Sequence, residues 1–260
     1  MDNNLDTGKT LIIYASDEKY QERAQKLAKA LNVPLAASED ELKAYALSLV
    51  YNDNGLTLSD GERSMHGDFT KMLPRLKPNN LNRELIVKAG KIKSLEPPLR
   101  AVDATAGMGE DSLLLAAAGF EVELFEYDPV IAALLDDTLK RSALIPELSE
   151  ITGRMHLHAG DSIKGLSELS FKPDMILLDP MFPERQKSAL VKKKFQLIHQ
   201  LERPCDDEEA LLNAAIKAAP KKIVIKRPLK GPFLAGVKPD YSLSGKAIRC
   251  DCLINLQRLL

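Results

Sequence analysis

From residue 99 onward the chain repeats one pattern, an apolar run, a turn and a helical segment, and this repetition constrains the fold more than any other feature. Arg100 to Ala104 reads as a strand and Asp111 to Ala118 as a helix stopped at Gly119. Glu121 to Glu126 is the next strand, and Pro129 to Arg141 is a helix with proline at its first position. Strands follow at Arg154 to His158, Met175 to Leu178, Lys221 to Lys226 and Ile248 to Leu256, with helical segments around Ser188 to Leu201 and Asp206 to Ala218. Parallel strands cannot be joined by tight turns and need a crossover, usually a helix. The alternation therefore predicts an α/β fold whose mostly parallel sheet is covered on both faces.

The first 60 residues have a different texture and predict a small N-terminal α/β subdomain. A strand at Leu11 to Ala15 precedes a helix from Glu18 to Leu31, where Ala24, Leu27, Ala28 and Leu31 recur at helical spacing. Val33 to Ala36 suggests a second short strand, with a helix starting at Glu39. Leu47 to Tyr51 and Leu56 to Leu58 flank Asn52-Asp53-Asn54-Gly55, which reads as a β-hairpin because Asn-Gly tolerates positive φ. Residues 61–98 read as a linker loop and then a helix, Arg83 to Ile92, stopped by Glu96-Pro97-Pro98. Residues 99–260 form the main domain.

Composition narrows the class. With 45% hydrophobic and 28% charged residues the chain is globular, and no apolar run reaches the ~20 residues of a membrane span. Met1 to Thr10 is polar, which predicts no secretory leader and a cytoplasmic location. Cys205, Cys250 and Cys252 are too few for a disulfide framework. Cys250 and Cys252 would share one face of a strand in the core, and His156 and His158 share a strand face without clustered carboxylates, so no metal site is expected. The net charge of -1 provides no global field for a polyanion, so nucleic-acid binding would need a local basic surface. Basic residues cluster at Arg185 to Lys194, at Lys221 to Gly231 and between Lys71 and Lys93, either as solvated faces or as such a surface.

Four strand ends carry chemistry. Asp103-Ala104-Thr105-Ala106-Gly107-Met108-Gly109-Glu110-Asp111 takes a strand through small residues into a helix, and glycines there let a ligand approach the main chain. It is neither a dinucleotide fingerprint, lacking the third Gly, nor a P-loop, lacking Lys-Ser/Thr. Glu126 ends the next strand, 23 residues after Asp103, where an acid can take both hydroxyls of a ribose, and Tyr127 follows it. Asp128 before Pro129 reads as a helix N-cap. After the third strand, Asp161-Ser162 is either a turn or a contact for an adenine amino group. The fourth strand runs into Asp179-Pro180-Met181-Phe182-Pro183, a carboxylate, a rigid proline and an aromatic at the sheet's mouth.

These residues resemble the Rossmann-like, class I S-adenosylmethionine-dependent methyltransferases. The resemblance implies a cofactor site built from Asp103, Thr105, Gly107, Gly109, Glu110, Asp111, Glu126, Tyr127, Asp161, Ser162 and Asp179. Asp179-Pro180-Met181-Phe182 is similar to the Asp-Pro-Pro-Tyr/Phe motif of amine methyltransferases, with Met181 at the second proline. The longer string Leu178 to Pro183 with Gln186 to Lys193, together with Val130 to Asp137 and Val224 to Pro228, resembles the ribosomal RNA small subunit methyltransferase J family. Within that family's pattern this chain carries Glu110 where an Arg is expected.

That likeness implies methylation of a guanine N2 amine in 16S ribosomal RNA, free or within the small subunit. Asp179 and the Pro180 carbonyl would accept the amine's N–H bonds, Phe182 would stack on the base, and Lys187, Lys192, Lys193, Lys226 and Arg227 would hold phosphates. Two alternatives stay open: an amine methyltransferase acting on a protein or small molecule, and a non-catalytic ribosome-assembly or RNA-binding protein with a vestigial pocket.

Overall fold

The computed structural model describes residues 10–92, 98–180, 197, 201 and 207–259. Its main element is a seven-stranded sheet. The strands are β5 (Leu99–Asp103), β6 (Phe120–Glu126), β7 (Met155–Ala159), β8 (Met175–Leu178), β9 (Lys222–Pro228), β10 (Tyr241–Ser244) and β11 (Ile248–Leu253). Their spatial order is β10-β11-β9-β8-β5-β6-β7. β5 pairs in parallel with both β6 and β8, whereas β11 runs antiparallel to both β9 and β10. The chain moves outward from β5 to β7 and then returns to lay β8 on the other side of β5. The β5/β8 boundary is thus the switch point at which open α/β sheets bind ligands, outside the carboxyl ends of the strands.

Alternate residues of each strand feed two cores. Ala101, Val122, Leu124, Met175, Leu177 and Val224 pack with α4 (Leu85–Gly90), α5 (Glu110–Ala117) and α7 (Pro146–Thr152). Cys250 and Cys252 are buried in that core. Val102, Ile176, Leu178, Ile223 and Ile225 pack on the other face with α8 (Ser162–Ser167) and α9 (Glu208–Lys217). All four residues of β8 are buried, as a strand covered on both faces requires. α6 (Pro129–Ser142) starts at Pro129, with the Asp128 carboxylate accepting the N–H groups of Val130 and Ile131 as its N-cap.

The N-terminal unit is a four-stranded sheet, β1 (Leu11–Ala15), β2 (Leu47–Asn52), β3 (Gly55–Ser59) and β4 (Ser64–Met65), with α1 (Gln21–Leu31) against it. The sheet thus continues past residue 60. Segment 33–36 contributes only a bridge, Ile13 to Leu35, because Val33 and Ala36 turn inward there, and Glu39–Ala44 is a 3-10 helix. α2 (Leu73–Leu76) and α3 (Pro78–Leu81) precede α4 in the stretch read as a loop.

This unit shares its core with α6: Leu11, Leu49, Leu56 and Leu58 pack with Val130, Ile131 and Leu134. Asp137 of α6, 1% exposed, accepts from the Arg23 and Arg141 guanidinium groups and from the Leu56 backbone N–H. Among the described residues no helix is long and apolar enough to cross a membrane, and no three His, Cys, Asp or Glu side chains group as a metal would need.

Candidate active site

Small residues carry the chain from β5 into α5, and two glycines in that loop have positive φ for different reasons. At Gly109 (φ 73°) a β-carbon would lie 2.7 Å from Leu135 Cδ1, so the residue allows loop and α6 to close up. At Gly107 (φ 52°) nothing described lies within 4 Å of where a β-carbon would stand. Gly160, after β7, is equally bare. The backbone at Gly107 and Gly160 therefore presents a surface that a ligand can approach closely.

Acids at the strand ends shape this surface. Glu126 ends β6 and accepts the Gly107 N–H at 2.8 Å through one oxygen and the Asp128 N–H at 2.8 Å through the other. Burial pushes its carboxyl above the usual carboxylate value. An ionised carboxylate has about four acceptor positions, so Glu126 can brace the loop and still receive hydroxyls. Tyr127 beside it is 56% exposed. Asp161 caps α8 by accepting the Ile163 N–H at 2.9 Å, and Ser162 follows as the first helical residue.

Asp103 sits deeper than a ligand contact would. It is 2% exposed, and its two oxygens accept the Thr105 N–H at 3.1 Å and the Ser112 hydroxyl at 2.5 Å. Desolvation by burial pushes it up to about 7, against the hydrogen bonds that favour its charge. It tethers the loop to β5 and α5. Glu110 is exposed in the first turn of α5, beside Asp111.

The β5 and β8 loops are joined directly: the Asp179 N–H donates to Thr105 Oγ1 at 2.6 Å. Pro180 is buried beside it. The Asp179 side chain keeps 39% of its surface, so a substrate can reach it. Desolvation at the sheet's end pushes Asp179 above the ordinary carboxylate value, and the Lys226 charge pulls it back.

The basic residues divide. Lys226, expected on the RNA surface, instead lies within the site, its Nζ 2.6 Å from Asp111 Oδ2 and 2.8 Å from Asp179 Oδ2. Arg227, expected there too, is 1% exposed and donates to Glu208 and the Pro232 carbonyl. A guanidinium so enclosed cannot reach a phosphate. Alternation along β9 explains the pair: Lys226 and Arg227 point to opposite faces. Phe182, Lys187, Lys192 and Lys193 lie outside the described residues. The sequence reading placed Lys226 with the phosphate contacts and missed it as a member of the site, although its place at the end of the apolar run Ile223 to Ile225 was the available signal.

The sheet order and the open strand-end loops fit an S-adenosylmethionine-dependent methyltransferase, and similarity to known proteins shows that class. Residues 26–255 match a family model described as a putative SAM-dependent methyltransferase. A ribosomal RNA small subunit methyltransferase J from Thioalkalivibrio sulfidiphilus is 39% identical over 94% of this chain and 96% of its own length. One from Pseudomonas aeruginosa is 38% identical over 94% and 95%. The crystal structure of a SAM-dependent methyltransferase from Neisseria gonorrhoeae superimposes with a TM-score of 0.71 at 29% identity, covering 94% of this chain and 96% of that one. The chain belongs to the ribosomal RNA small subunit methyltransferase J family. Its cofactor is S-adenosylmethionine, and the bare backbone at Gly107 and the Glu126 carboxylate suit a ligand with a ribose that approaches the main chain closely.

Proposed function

We infer that this protein methylates the exocyclic N2 amine of a guanine in small-subunit ribosomal RNA, acting in the cytoplasm on 16S RNA or the small subunit. One observation carries the reading: an accessible carboxylate, Asp179, ends β8 and is tied through Thr105 to the glycine loop of β5. An acceptor for an amine thus stands next to the cofactor loop. That relatives 38–39% identical are named ribosomal RNA small subunit methyltransferase J supports the RNA as substrate.

The cofactor supplies an activated methyl group when bound, so the protein needs no covalent nucleophile. Gly107, Glu126, Tyr127, Asp161 and Ser162 would hold it. A guanine N2 lone pair is delocalised into the ring and makes a poor nucleophile. Asp179 and the Pro180 carbonyl would accept its two N–H bonds, which orients the lone pair and directs the released proton to the carboxylate. Phe182 would stack on the base, and Lys187, Lys192 and Lys193 would contact phosphates, as their place in the sequence pattern suggests.

The test is transfer of labelled methyl to 30S particles from cells lacking this protein, followed by nucleoside analysis. N2-methylguanosine in 16S RNA is expected, and its loss with Asp179→Ala. Label on another nucleoside or on protein replaces the substrate; an unlabelled particle replaces the enzyme with a binding protein.

A further inference from the structure

Lys226 stands where a parallel register puts it beside Asp179: Ile225 of β9 pairs with Leu178 of β8, and the next residue of each strand is the charged one. A lysine that holds phosphates keeps its ammonium in solvent. This side chain is only 24% exposed and its ammonium meets two carboxylates, one from α5 and one from the end of β8. Burial opposes its charge, yet the two acids outweigh that and hold it above the ordinary lysine value.

The charged groups whose fields reach Asp179 are Lys226 and, from the opposite face of β9, Arg227, with Asp111 from α5 and Asp103 from β5. Arg227 is engaged with Glu208, so Lys226 is the cation in contact with the carboxylate. Without it, burial and the Asp111 charge would act on Asp179 unopposed by a contacting cation and push its carboxyl further up, toward the protonated form. A protonated Asp179 has no place for the proton that a methylated amine must release.

We propose that Lys226 is a positioning residue: by bridging Asp111 and Asp179 it fixes the Asp179 carboxylate and keeps it ionised as the proton acceptor for the substrate amine. This rests on the reading of Asp179 given above.

The experiment follows single-turnover methyl transfer to 30S particles across pH for the full chain, Lys226→Gln and Lys226→Arg. In Lys226→Gln the rate at neutral pH should fall about tenfold or more, and its acidic limb should move up by about one pH unit. Lys226→Arg should return most of the rate with the limb near its original place. Cofactor affinity without RNA, read by calorimetry, and the salt dependence of 30S binding should hold for both.

An unmoved limb in folded Lys226→Gln overturns the proposal. So does a salt slope for 30S binding reduced by about one with the limb in place, which makes Lys226 a phosphate contact. Should Lys226→Gln not fold, Asp111→Asn decides: it leaves the ammonium to Asp179 alone, and a limb that fails to move down overturns the proposal. Asp179→Asn runs alongside; if it stays active, the reading of Asp179 fails, whereas its inactivity with an unmoved Lys226→Gln limb fails the present proposal alone.

Discussion

The backbone N–H of Asp179 donates to the side-chain oxygen of Thr105 at 2.6 Å, so one hydroxyl locks the loop after β8 to the loop after β5. The two loops flank the switch point of the sheet, and each carries half of the proposed chemistry. Thr105→Val keeps the shape of the side chain but removes the acceptor. It should cost about 1–3 kcal/mol, the penalty for stranding a partly buried N–H, and lower turnover, while Thr105→Ser retains both. Urea unfolding beside methyl-transfer rates checks this; a Val variant with parent-like turnover removes Thr105 from the site.

The two loop glycines should fail differently. Gly109→Ala forces a β-carbon onto Leu135 Cδ1 and adds strain at φ 73°, so its melting temperature should drop. Gly107→Ala meets no neighbour; it should cost only about 1 kcal/mol from its left-handed backbone yet weaken S-adenosylmethionine binding. Calorimetric titration and thermal melts of both variants separate the effects.

Asp103 predicts a pH dependence of stability. Its folded value, about 7, lies above the ordinary 3.8, so the native state binds the proton more tightly than the unfolded chain. The contribution is fully present below about pH 4 and is lost as pH rises through about 7, an upper bound of about 4 kcal/mol. Asp103→Asn cannot titrate and should flatten that decline. Denaturant midpoints for both proteins between pH 4 and 8 measure it, and parallel curves refute it.

Asp137 should hold the N-terminal sheet to α6. Asp137→Ala leaves Arg23 and Arg141 without their shared carboxylate and Leu56 N–H without its acceptor. Both guanidinium groups keep access to solvent, so the cost should be that of stranding the buried Leu56 N–H and losing charged hydrogen bonds, about 1–3 kcal/mol. The urea midpoint should fall accordingly, and limited proteolysis should cut within residues 10–65 more rapidly.

Much of the fold was legible from local rules. The buried run Met175 to Leu178, the capped helix beginning at Asp128-Pro129 and the Asn-Gly hairpin each carry their own signal within a few residues. β10 was missed because Tyr241–Ser244 is an edge strand with mostly exposed side chains, and α7 and α8 are too short for a periodicity to emerge.

The sequence by itself determined that an acid stands at or just after four strands: Asp103 and Glu126 are the last residues of β5 and β6, Asp161 comes shortly after β7, and Asp179 follows the apolar run Met175 to Leu178. Only the tertiary structure decided what each acid does there. Asp103 turned inward to its own loop, because Ser112 and the Thr105 N–H lie within reach once α5 packs on β5. Lys226 met Asp179 and Arg227 met Glu208 because the register of β8 against β9, and the alternation of side chains along β9, send neighbouring cations to opposite faces. Register between strands far apart in the chain is fixed by packing of the whole core, and no short stretch of sequence contains it.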